Sequence, residues 1–134
     1  MKWEVGVALK EMTKPPITRE QLRDYAEASG DTNPIHLDDA FAQQAGFPSV
    51  IVHGMITMAY LADIIGLNFP EEHFTLHRFK IRFKKVTFPG DVLRCGGEVK
   101  ALDEKGNLTV SLYAENQAGE ITSEGEAEVG GKSH

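Results

Sequence analysis

The sequence predicts an α+β domain in which an antiparallel sheet wraps a buried central helix. Three observations predict it. The segment 52–67, "VHGMITMAYLADIIGL", is apolar on nearly every helical face, as suits a helix enclosed within a small domain. The segment 75–88, "TLHRFKIRFKKVTF", sets Phe79, Ile81 and Phe83 against Arg78, Lys80, Arg82 and Lys84. Such alternation marks a strand with one wet face. Beyond it, three strand-like runs are separated by the hairpin turn sequences "DEKGN" and "NQAGE". A length of 134 residues fits one domain spanning 1–134.

The elements follow in order. "WEVGVALKEM" at 3–12 supplies a further strand. "ITREQLRDYAEASG" at 17–30 is a helix with readable ends. Thr18 is a good N-cap, Gln21 stands where a capping box needs it, and Gly30 takes the left-handed C-terminal position. Leu22, Tyr25, Ala26 and Ser29 share one face of it. Pro34 holds Asn33 extended and starts a turn. A short helix begins near Asp38, with Asp38 or Asp39 at its positive end, and Gly46 and Pro48 end it. The long apolar helix and the strands complete the domain. The C-terminal "GGKSH" is expected to fray. An open sheet edge and a helix needing cover on most sides predict a dimer.

Composition narrows the function classes. The net charge is −6 and the pI about 5.3, which argues against nucleic acid as a partner. The longest apolar stretch is too short to span a bilayer and contains Asp63. The N-terminal run lacks a signal-peptide core. A single cysteine, Cys95, is compatible with a reducing compartment. These features predict a cytoplasmic protein with no membrane partner.

The stretch "SGDTNPIH", 29–36, carries the candidate chemistry. Asp31 and His36 are five positions apart with Pro34 between, so they do not share a helix face. A turn can aim both at one point, where they could hold and polarise a water molecule. On spacing alone, a turn-capping Asp31 and a packed His36 stand ahead of the catalytic reading. The segment "VIVHGM", 50–55, precedes the apolar helix. Unpaired amides at a helix start, with Gly54 leaving room for an oxygen, could form an oxyanion hole. A glycine that merely permits close packing is the plainer account. The basic residues Arg78, Lys80, Arg82 and Lys84 are candidate contacts for a phosphorylated or carrier-borne ligand, with solvated strand surface ranked first. The five histidines show no metal-binding spacing, and no metal is expected.

"YAEASGDTNPIHLDDAFAQQAGF" resembles the hydratase motif of the MaoC-like family of (R)-specific enoyl-CoA hydratases, through Tyr25, Gly30, Asp31, Asn33, Pro34, Ile35, His36 and Ala42. "IVHGM" is similar to the family's second block, and "FPGD" at 88–91 to a third. The resemblance departs at Ala59, where some short-chain members have Ser, and at Lys85-Val86, where members often have Pro-Val. It implies a hot-dog fold and a homodimer or a dimer of dimers, with pockets near the subunit interface. It implies Asp31 and His36 as the catalytic pair; Gly54 and Met55 at the helix start are candidate oxyanion contacts from the helix-start argument, and Asn33 is a candidate substrate neighbour that shapes the turn rather than reacts. The implied reaction is hydration of a trans-2-enoyl thioester to an (R)-3-hydroxyacyl thioester. Coenzyme A enters as part of the substrate, and no cofactor is expected. Three other readings stand beside it: a 3-hydroxyacyl-acyl-carrier-protein dehydratase subunit, a hot-dog acyl-CoA thioesterase, and a non-catalytic acyl-thioester binding subunit.

Overall fold

The computed structural model describes residues 3–132. Five strands form one antiparallel sheet in the order β1-β3-β4-β5-β2, with β1 at Met12–Thr13, β2 at Phe74–Phe83, β3 at Arg94–Leu102, β4 at Leu108–Glu115 and β5 at Ile121–Gly131. Three α-helices, α1 (Arg19–Ser29), α2 (Asp39–Gln44) and α3 (Gly54–Asn68), lie between β1 and β2 in the chain. This is the hot-dog architecture. Val99, Leu108, Val110, Leu112, Ala114, Ala127 and Val129 of the sheet form one buried cluster with Ile56, Leu61, Ile64 and Ile65 of α3. The strands bury alternate residues, most clearly in β4, because successive side chains point to opposite faces.

Local chemistry accounts for the helix ends. The Thr18 hydroxyl accepts from the Gln21 amide at 3.1 Å, and Gly30 closes α1 at φ 81°. The expected capping box is only half formed. The Gln21 side-chain amide reaches Tyr60 on α3 instead, donating to its hydroxyl at 2.7 Å. Asp38 caps α2 through the amides of Ala40 and Phe41.

Three expectations need correcting. The N-terminal strand is broken: Ala8 bridges Glu98, β1 pairs with Arg94 and Cys95, and Lys10 between them is diverted. The Asn68 side chain takes Lys10's amide at 2.8 Å and donates to its carbonyl at 3.2 Å, so those groups are lost to the sheet. The C-terminal glycines do not fray. Gly130 and Gly131 pair with Thr75 and Phe74, and Ser133 and His134 lie outside the described residues. Finally, α3 is covered on one side more than the other. Met55, Ala59, Asp63, Gly66 and Leu67 are exposed in the single chain, because the sheet and the α1 contact leave that flank open. Among the described residues, no helix is long and apolar enough to cross a membrane.

Candidate active site

The site grows from the turn between α1 and α2. Gly30 reverses the chain, and Asn33 accepts from the Ile35 amide at 3.0 Å to start a single 3₁₀ turn over Pro34–His36. Asn33 therefore shapes the turn. Asp31 does two things: Oδ1 faces the Asn33 amide at 3.4 Å, and Oδ2 lies 3.9 Å from His36 Nε2. The Asp31 side chain is half exposed and that of His36 only 12%.

The second wall is the extended segment 50–53, threaded between two parts of the chain. Asp39 accepts from the Val50 amide, the Ile35 carbonyl from Ile51, and the Thr87 carbonyl from Val52. The Val50 amide, and then Arg19, hold the Asp39 carboxyl below its ordinary range. Threaded this way, the segment points the Ile51 carbonyl at His36 Nδ1, 2.7 Å away. A carbonyl can only accept, so Nδ1 carries a proton, and in the neutral ring Nε2 presents a lone pair toward Asp31.

The same segment brings in His53, which spacing alone did not single out. Its ring stacks on His36 with centroids 3.9 Å apart and 22° between planes. Its Nε2 lies 3.2 Å from the Asp31 carbonyl. Only 1% of His53 is exposed, and burial pushes its imidazole below the ordinary value of 6.5. Asp31, His36 and His53 each offer a donor atom within 4.8 Å of the others, the one such group among the described residues. The spacings of five and seventeen residues hide it from a motif search.

Gly54 begins α3, and the His53 side chain does not cap it. The first-turn amides of Gly54 and Met55 thus retain their donor capacity and the helix's positive end. Gly54 lines a cavity of about 280 Å³ with Val52, Thr57, Phe83, Thr87 and Ser123. Val52 and Gly54 flank His53 in sequence, while Asp31, His36 and His53 themselves do not line the cavity. Thr57, Thr87 and Ser123 are buried polar groups that sequence reading did not single out. Met55, the next residue after Gly54, is 55% exposed and does not line the cavity.

The basic strand is arranged differently from its linear pattern. Arg78, Lys80 and Arg82 stand opposite Glu128, Glu126 and Glu124 in the sheet register. Lys84 lines the cavity but its ammonium pairs with Glu124 at 3.1 Å. Cys95 is fully buried, and desolvation pushes its thiol up to about 11, which removes its nucleophilic form.

The sequence profile described as a MaoC-like domain matches residues 3–120. The chain is 34% identical over 106 residues to the (R)-specific enoyl-CoA hydratase of Aeromonas caviae, covering 78% of this chain and 79% of that one. It is 30% identical over 111 residues to the mitochondrial 3-hydroxyacyl-[acyl-carrier-protein] dehydratase of Arabidopsis thaliana, covering 83% and 64%. The solved (R)-hydratase of A. caviae superposes with a TM-score of 0.84 at 32% identity, over 95% of this chain and 96% of that one.

Proposed function

The chain belongs to the MaoC-like dehydratase family and is a hydro-lyase, and from that premise we propose that it hydrates trans-2-enoyl-CoA to (R)-3-hydroxyacyl-CoA, reversibly. The observation that carries this reading is the 3.9 Å gap between His36 Nε2 and Asp31 Oδ2. In the neutral-imidazole form that this scheme uses, both atoms accept: Nε2 because the ring's one proton is on Nδ1, and the carboxylate because it has none to give. Two acceptors at that distance call for a species that donates twice. A water about 2.8 Å from each atom would see them at roughly 90°, close to its own valence angle.

Water held this way turns an oxygen lone pair outward. Asp31 accepts its proton as the oxygen attacks the β-carbon, while His36 Nε2 keeps the other hydrogen aligned. The electron pair of the double bond moves onto the thioester oxygen, where the Gly54 and Met55 amides meet the developing charge. One such donor contributes about 3 kcal/mol. The pair then returns a proton to the α-carbon. One water is consumed, its oxygen and one hydrogen on the β-carbon and its other proton on the α-carbon. No metal or cofactor takes part in this scheme.

The reading includes a homodimer or a dimer of dimers in the cytoplasm. Exposed Met55, Leu67, Leu76, Phe83 and Val86 support the assembly, which light scattering measures. The Arabidopsis relative supports a second reading, dehydration on acyl carrier protein. The cross-strand glutamates weaken the case for Arg78, Lys80 and Arg82 as a carrier-docking face. The test is loss of conjugated enoyl-thioester absorbance with chiral analysis of the product, run on both carriers. Release of free thiol instead would identify a thioesterase.

A further inference from the structure

We propose that His53 is a positioning residue that holds both members of the Asp31–His36 pair at their working separation. The inference rests on the hydration reading. Its core is one buried side chain touching both partners: the ring face packs on His36, and Nε2 reaches the Asp31 carbonyl at 3.2 Å.

The Asp31 contact matters because little else anchors that loop. Among the described residues, every other hydrogen bond made by residues 30–34 stays within the segment 26–38. His53 alone ties the loop to a distant part of the chain, 22 residues away. His36 is tied to the same short segment through the Ile51 carbonyl at 2.7 Å. Two ties to residues two apart therefore set the gap in which the water must sit.

The choice of imidazole points the same way. Since the Asp31 carbonyl only accepts, His53 carries its proton on Nε2. Burial favours the neutral ring, so Nδ1 is left as a bare lone pair. That atom is sealed from solvent and has no hydrogen-bond partner among the described residues. A phenyl ring would fill similar space, pack on His36 and on Tyr25, whose ring centroid is 4.7 Å away, and leave no orphaned acceptor. What imidazole adds is the N–H on Asp31. A buried unpaired polar atom calls for a reason, and a role at a catalytic site is one such reason.

Two substitutions separate the contacts. His53→Phe keeps a ring on His36 and removes the donor; His53→Gln keeps a donor and removes the ring. With trans-2-butenoyl-CoA, His53→Phe should lower kcat by about 10²-fold, the loss typical of a displaced catalytic group. KM should stay within about threefold, because binding is not what His53 supplies. His53→Gln should recover part of that kcat. A His53→Phe protein with kcat within about twofold of the parent, or a loss carried wholly by KM, overturns the inference. A measurement on the unsubstituted protein does not depend on either variant folding. Long-range ¹H–¹⁵N imidazole spectra should place the His53 proton on Nε2, and a proton on Nδ1 overturns the inference outright. An unsubstituted protein with no hydratase activity would instead strike the hydration reading, while the spectrum still judges the His53 contact.

Discussion

Phe83 lies directly against Gly54: a Cβ built on that glycine would stand 3.0 Å from Phe83 Cζ and 3.3 Å from two further ring atoms. The contact joins the end of β2 to the start of α3 at the wall of the cavity. Phe83 is 53% exposed, so its ring can give. Gly54 opens α3, so Gly54→Ala gains only part of the about 1 kcal/mol that separates the two residues in a helix interior. The melting temperature should therefore change little. Activity should not be spared, because the added methyl and the displaced ring both intrude where the thioester must approach the amides. A fall in kcat/KM of about tenfold, or about 1.4 kcal/mol, is expected. Adding Phe83→Leu should restore part of it. Full kcat/KM in Gly54→Ala would mean that the substrate does not use this space.

Replacing either acceptor of the water pair should be far more damaging. Asp31→Asn puts an amide where proton acceptance is needed, and His36→Gln loses the Nε2 lone pair. Each should reduce kcat by about 10²–10⁴-fold, the range for a lost general base. Circular dichroism should match the parent, since the Asp31 side chain is half exposed and, beyond its approach to His36, its one hydrogen bond among the described residues is the 3.4 Å contact from the Asn33 amide. Normal turnover by both variants would remove the pair from the mechanism.

What the sequence showed and what it hid differ by range of interaction. Thr18, Gly30 and Asp38 follow rules that act within a few residues, and each caps its helix as expected. Asp31 and His36 meet across one turn, a convergence that spacing allowed but ranked second and that the motif resemblance favoured. His53 was not legible, because its place depends on how residues 50–53 thread between Ile35, Asp39 and Thr87. Gln21 departed from the capping box because Tyr60, 39 positions on, offered a hydroxyl. The basic face of β2 looked unopposed because Glu124, Glu126 and Glu128 become its neighbours only once β5 is in register.

Asn68 offers a contrast, a buried polar residue with a structural role alone. It is 7% exposed and binds both backbone groups of Lys10, while also donating to the Ile64 carbonyl at 2.8 Å. Asn68→Ala would leave the Lys10 amide without its partner and open the seam between the N-terminal segment and α3. The expected cost is about 2 kcal/mol in urea unfolding. Asn68 sits at the opposite end of α3 from Gly54, about 20 Å away along the helix. Its variant should keep the parent's kcat at temperatures where it is folded, and a kcat loss matching that of Asp31→Asn would contradict this division of roles.

The stability of the fold should itself report on His53 as pH falls. Burial, the largest influence, holds the folded His53 below its ordinary value of 6.5. The unfolded chain therefore binds a proton there at a higher pH than the folded one. Stability rises with pH wherever the unfolded state binds more protons. The His53 contribution is then fully present above 6.5 and is lost progressively as pH drops below it. Asp39 and Glu11 are also displaced downward, Asp39 by the Val50 amide and then Arg19, Glu11 by Tyr113 and then Arg94. Their contributions fade only below the ordinary carboxylate values of 3.8 and 4.5. Among these displaced groups, His53 alone acts between 6.5 and 4.5. Urea midpoints should decline across that window for the parent protein and decline less for His53→Gln, which has nothing there to protonate. A parent midpoint that holds level or rises as pH falls through the window would show that His53 accepts a proton in the folded state as readily as in the unfolded chain, against its burial.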